Sequence, residues 1–68
     1  MRLDKKKIKM RMLELDLNSD RALAELLGKQ TFVVNRWLNG VHLPRTSDMR
    51  ALLAALQLTD KTEILTDD

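Results

Sequence analysis

The sequence predicts an all-α domain of five short helices. Strand formers are scarce, with aromatics at 3% and Val33-Val34 the one adjacent pair of β-branched apolar residues. No segment alternates apolar and polar residues with period two, whereas apolar residues recur three and four apart along most of the chain. Glycine, proline and short polar residues then cut the chain at intervals suited to short helices.

Asp4 caps the first helix, with Leu3 before it and Ile8 at the staple position. Ile8, Met12 and Leu15 form its apolar stripe, and Asp16-Leu17-Asn18 reads as a break. Ser19 caps the second helix and Asp20 places a negative charge in its first turn. Leu23, Ala24 and Leu27 form its inner face, and Gly28 is the left-handed residue that stops it. The third helix starts near Gln30 and ends at Asn39-Gly40. Residues 41–45 form a loop in which Pro44 disfavours helical geometry for Leu43. Thr46 or Ser47 caps the fourth helix, Asp48 suits its positive end, and Met49, Leu52, Leu53 and Leu56 give it a core face. Thr59 with Asp60 opens a last helical turn or two ending near Leu65, and residues 66–68 fray.

Length and composition bound the rest. Sixty-eight residues, 44% hydrophobic and 32% charged, suit a single folded domain spanning residues 1–68. Without cysteine there is no disulfide and no thiolate ligand. The longest apolar run, Ala51 to Leu56, is far short of the ~20 residues that span a bilayer. A cytoplasmic protein is expected. The net charge of +2 is unevenly spread. Residues 1–50 hold eleven Lys/Arg against six Asp/Glu, a net of +5, and residues 51–68 carry a net of −3. A basic body of that kind suits a polyanion partner or a solvated surface.

The stretch from residue 20 to about 39 has helix-turn-helix spacing: a helix of about eight residues, a glycine turn, then a helix of about nine. Ala24 is the small residue where the two helices cross, and Val34 and Trp37 point inward. At about 100° per residue, Phe32 and Arg36 then lie on the opposite side, flanked by Val33 and Asn35. A helix about 10–12 Å across fits a major groove about 12 Å wide.

Leu23 to Gly40, LAELLGKQTFVVNRWLNG, together with Pro44 and the Leu52-Leu53-Ala54-Ala55-Leu56 helix, resembles the Xre or Cro/repressor-type helix-turn-helix transcription regulators of phages and bacteria. Ala24, Gly28, Val34, Arg36-Trp37 and Gly40 supply the family's pattern in register, and the likeness covers roughly residues 5–65. The resemblance implies a compact lambda-repressor-like DNA-binding domain, acting as a homodimer on a palindromic operator. It implies a transcriptional repressor. The acids are scattered, with no paired-carboxylate site and no phosphate-cradling glycine loop, so no enzymatic activity, cofactor, metal or small-molecule ligand is expected.

The resemblance further implies base contacts from Thr31, Phe32, Val33 and Arg36. Phosphate contacts would come from Ser19, Arg21, Lys29, Gln30, Asn35, Asn39 and Arg45. Three positions depart from the pattern. Gln30 is a poorer helix cap than the usual Ser or Thr, and Thr31 is the substitute. Phe32 and Val33 shift readout towards thymine methyl groups. Asp20 stands where a phosphate-binding glutamine is common, and its carboxylate would repel a phosphate.

Other residues admit plainer readings. Arg36 either pairs with a guanine or with a surface acid, and Phe32 either meets DNA or lies in the core. Trp37 is a core residue. The basic cluster Lys5-Lys6-Lys7-Lys9-Arg11 is a phosphate-contacting flank or a solvated face; without aromatic anchors it is a poor membrane helix. His42, the lone histidine, lies in a loop and finds no second ligand for a metal. Ser19 and Ser47 sit at helix starts, where capping explains them. Leu58, Ile64 and Leu65 either form a dimer surface or close the core. A protein-protein interaction module on the same fold, such as an antitoxin or accessory protein, is the competing function.

Overall fold

Asp4 opens the first helix by accepting a hydrogen bond from the Lys7 backbone N–H at 3.1 Å. The computed structural model describes residues 1–67 and contains four α-helices: α1 (Lys5–Glu14), α2 (Asp20–Leu27), α3 (Thr31–Leu38) and α4 (Thr46–Ala55). Ser19 caps α2 as expected, its hydroxyl accepting from the Ala22 N–H at 3.1 Å. Two other starts differ from expectation. Gln30 occupies the cap position of α3 without a side-chain bond, and Thr31 is already its first helical residue. The cap of α4 is Arg45, again without a side-chain bond. Thr46 and Ser47 have already entered the helix, because the first intrahelical bond runs from the Met49 N–H to the Arg45 carbonyl.

The expected fifth helix is absent, and so the five-helix architecture is corrected. Lys61–Glu63 makes one 3₁₀ turn, capped by Asp60 of the expected Thr59-Asp60 start. Leu65–Thr66 (β2) then pairs antiparallel with Arg2–Leu3 (β1), with Arg2 opposite Thr66 and Leu3 opposite Leu65. The Asp4 N–H extends the pairing to the Ile64 carbonyl at 2.8 Å. Leu3 and Ile64 are only 2% and 1% exposed, so both chain ends are drawn into the core. Pairing satisfies the backbone groups carried inward with them. Thr66, expected to fray, is therefore held in a strand, while Asp68 lies outside the described residues. The Asp60 carboxyl is held below its usual range by the Thr62 backbone N–H, with the Thr62 side chain adding to the effect.

Each element contributes to one core. Ile8 and Met12 come from α1, Leu23 and Ala24 from α2, Val34, Trp37 and Leu38 from α3, and Leu52 and Leu56 from α4 and its end. Among the described residues no polar or charged side chain is buried. No described helix is long and apolar enough to cross a membrane.

All four helices close with one device. A residue with positive φ follows the last turn, and two backbone N–H groups fold back onto the otherwise unsatisfied carbonyls. Gly28 (φ 67°) does this for α2, with Lys29 N–H on the Ala24 carbonyl at 2.9 Å. Gly40 (φ 75°) does it for α3, with Val41 N–H on the Arg36 carbonyl at 3.0 Å. At the ends of α1 and α4 the same position is filled by Asp16 (φ 60°) and Gln57 (φ 57°). There Leu17 N–H bonds the Met12 carbonyl at 2.8 Å and Leu58 N–H the Leu53 carbonyl at 2.9 Å. Leu17 and Leu58 are thereby turned back against the core.

Arg11 ties two of these ends together. Its Nε donates to the Leu56 carbonyl at 2.8 Å and its Nη2 to the Gln57 carbonyl at 3.3 Å, while Nη1 meets Glu14 at 3.1 Å. A cation on the last carbonyls of α4 complements the helix dipole. Arg11 thus leaves the basic cluster and belongs to the fold.

Two outcomes follow for stability, both readable by chemical denaturation. A left-handed L residue costs roughly 1–2 kcal/mol, partly offset in glycine by its freer unfolded chain. Asp16→Gly and Gln57→Gly are each expected to stabilise by about 0.5–1 kcal/mol. Gly28→Ala loses about as much, although nothing lies within 4 Å of the added carbon. Arg11→Ala is expected to lose about 1–2 kcal/mol, and Arg11→Lys to recover little of it, because an ammonium cannot bond both carbonyls with a planar fork. Full recovery by lysine would reduce the contact to simple charge.

Candidate nucleic-acid interface

The rotation of α3 decides which of its side chains meet solvent. Val34, Trp37 and Leu38 are each 3% exposed or less and mark the inward side. From Val34, at about 100° per residue, Phe32 and Arg36 fall near 160° to either side, and Asn39 near 140°. Those three lie at i, i+4 and i+7 and make one outward stripe. Phe32 is 51% exposed, and Arg36 and Asn39 are exposed as well. Helix α3 itself carries no acidic residue.

Phe32 and Arg36 form a unit. The Arg36 guanidinium carbon lies 5.2 Å from the Phe32 ring centroid, within cation–π range. No carboxylate among the described residues pairs with Arg36, so its N–H groups remain free to donate outward. The ring limits where the guanidinium can go without occupying its hydrogen bonds.

Two of the expected base-contacting residues sit elsewhere. Val33 is half-buried and packs against the core, because its direction lies near the edge of the inward face. Thr31 is half-buried too, about 60° from Val34 on the inward side. The outward stripe is therefore narrower than expected: Phe32 and Arg36, extended at the carboxyl end by Asn39. Asn35 is half-buried on the flank.

The expected phosphate-contacting residues surround this stripe unevenly. Lys29 stands in the turn before α3, exposed but 3.0 Å from Asp48. Gln30 is exposed at the amino end of α3, its side chain uninvolved in capping. Arg21 lies 3.8 Å from Glu25 on the surface of α2. Ser19 spends its hydroxyl oxygen on the α2 cap. Arg45 is exposed before α4. Asn39 accepts a hydrogen bond from the Lys5 ammonium at 3.2 Å, which brings the start of α1 to the end of α3. Asp20 is paired with Lys9, so the carboxylate that would repel a phosphate has a cation against it.

The region also contains a residue that sequence reasoning missed. Arg2 lies across the turn after α3: a Cβ placed on Gly40 would meet Arg2 Cδ at 3.0 Å. The pairing of β1 with β2 and the burial of Leu3 hold it there, and a two-residue strand leaves no periodic signal. The three residues named as dimer or core-closing candidates all contribute to the core of the single chain. Ile64 is buried, and Leu58 and Leu65 pack against the core. Among the described residues no cluster of three or more His, Cys, Asp or Glu could hold a metal. No protein-family model, curated protein or solved structure matches the chain.

Since Phe32 and Arg36 stand outside the core, replacing either by alanine is expected to change folding stability by no more than about 1 kcal/mol in denaturant titrations. A loss above about 3 kcal/mol on removing the ring would place Phe32 in the core.

Proposed function

We propose that the chain binds duplex DNA and discriminates sequence by laying the outward stripe of α3 in the major groove. One observation carries the reading: an acid-free helix face presents an arginine fork braced on an aromatic ring and paired with no carboxylate among the described residues. The physics matches the task. Arg36 can donate two parallel hydrogen bonds to O6 and N7 of a guanine, a pairing worth about 1–3 kcal/mol of discrimination. The free edge of Phe32 offers apolar contact to a thymine methyl group. Helices α2 and α3 joined by Gly28-Lys29-Gln30 support the same reading, through the likeness of this segment to the helix-turn-helix regulators.

In this arrangement Gln30, Lys29 and Arg45 approach the sugar–phosphate backbone. Such contacts fix register and orientation, while Arg36 and Phe32 select the bases. Occupation of an operator in this way acts as repression, by excluding other proteins from the site. Two copies on a palindrome would set their α3 helices about 34–36 Å apart, one turn of the duplex.

Two measurements test the proposal. Binding to random-sequence duplex should be detectable at low salt and fall linearly in a plot of log affinity against log salt. Arg36→Ala should remove roughly 5- to 150-fold of the preference for a selected site over random sequence, with an unchanged melting curve. Retained discrimination would falsify the assignment of Arg36 as a base reader. Failure to bind any duplex at low salt would instead give the exposed apolar surface, Phe32 included, to a protein partner.

A further inference from the structure

An open hollow lies between β1, the start of α1 and the end of α3. Its polar lining is Arg2, Asp4, Lys5, Lys6, Asn39 and Thr66. We propose that Arg2, Lys5 and Lys6, with Asn39, form a seat for a backbone phosphate of the duplex, resting on the reading of α3 as a groove-binding helix. Three cations face one carboxylate here, and the Asp4 carboxylate is already engaged by the Lys7 N–H. Arg2 and Lys6 have no acidic partner among the described residues. Lys5 bonds only the neutral amide of Asn39, so its charge is uncompensated.

Position selects the ligand. Asn39 continues the stripe of Phe32 and Arg36, so whatever lies along that stripe runs into the hollow. From Phe32 to Asn39 the helix rises about 10 Å, close to the ~12 Å width of a major groove. A helix with Phe32 and Arg36 over the bases therefore brings Asn39 to the groove wall, where the phosphates run. The carboxyl end of α3 alone would repel a phosphate. Its final carbonyls are covered by the Gly40 and Val41 N–H groups, and the three cations reverse the local sign. Because β2 holds β1, the distal end of the chain helps position Arg2 for this contact.

The test is fluorescence anisotropy with a random-sequence duplex across a salt series. It compares the full chain with Lys6→Ala, the double variant Arg2→Ala/Lys6→Ala, and Lys7→Ala, whose lysine is on the same helix but outside the hollow. The double variant should lose about 0.9 from the magnitude of the log–log salt slope, one phosphate's worth, alike for all sequences. Lys6→Ala alone, at an exposed position that leaves the strand pairing intact, should weaken low-salt binding severalfold. Lys7→Ala should leave the slope unchanged. An unchanged slope in the double variant, or an equal fall in Lys7→Ala, overturns the seat while leaving groove binding standing. Equal losses on a single strand of the same length overturn its place at the groove wall. A parent chain that binds no duplex overturns both readings.

Discussion

The rotation of α3 about its own axis is the constraint on which the outer surface depends. Burial of Val34, Trp37 and Leu38 sets it, and truncating a core tryptophan of this kind typically costs about 3–5 kcal/mol. Turning the helix by one residue, about 100°, would expose part of that face and bury Arg36 or Phe32 instead. A buried unpaired guanidinium is prohibitive, and so the penalty acts from both sides. The rotation is also held at both ends. Gly28 closes α2 just before the turn into α3, and Gly40 closes α3 against Arg2. What the stripe presents is thus a consequence of core packing, made before any partner arrives.

Much of that was legible in the sequence, because helices announce themselves through spacing and through glycine. Ile8 with Met12, Leu23 with Ala24, and Val34 with Trp37 are short-range patterns that survive without tertiary knowledge. Gly28 and Gly40 were readable as helix stops for the same reason. Asp16 performs the same backbone service within a segment readable as a break, and aspartate tolerates the left-handed region, whereas nothing in the Gln57 side chain signals its turn; at both, Leu17 and Leu58 return to the core. The strand pair was illegible on different grounds. Two residues are too few for a period-two signal, and the pairing of Leu3 with Leu65 joins positions at opposite ends of the chain. The last segment reads as helix because Thr59 with Asp60 looks like a helix start, and Ile64 and Leu65 follow as apolar residues. Their burial is real, but it is achieved with a 3₁₀ turn and a strand.

Charge was the least legible property. A count of lysines and arginines near the start of the chain treats all six as equivalent. The fold separates them. Arg11 is committed to the carbonyls of Leu56 and Gln57, and Lys9 to Asp20. Lys5 and Lys6 remain beside the end of α3, joined by Arg2 from β1. Lys29, which the turn position singles out, shares its charge with Asp48. The basic character available to a partner therefore depends on which cations the fold has already used, and position in the fold settles that where sequence neighbourhood does not.

Phe32 illustrates how one side chain can carry two demands. In the proposed groove role it is apolar at a position where hydrogen-bonding side chains are the obvious choice. As the platform for Arg36 its chemistry makes sense. A free arginine side chain has about 2 kcal/mol of rotamer entropy to lose on forming a fixed contact. An exposed cation–π contact returns roughly 0.5–1 kcal/mol and narrows the conformers sampled beforehand. Under the proposed groove-binding reading, the ring offsets part of the ordering that bidentate recognition would demand. Polar side chains at the same position could add a hydrogen bond of their own, but they would brace the guanidinium less and compete for its donors. With Val33 and Thr31 turned towards the core, Arg36 is the one long polar side chain in the middle of the stripe, and what braces it counts for correspondingly more.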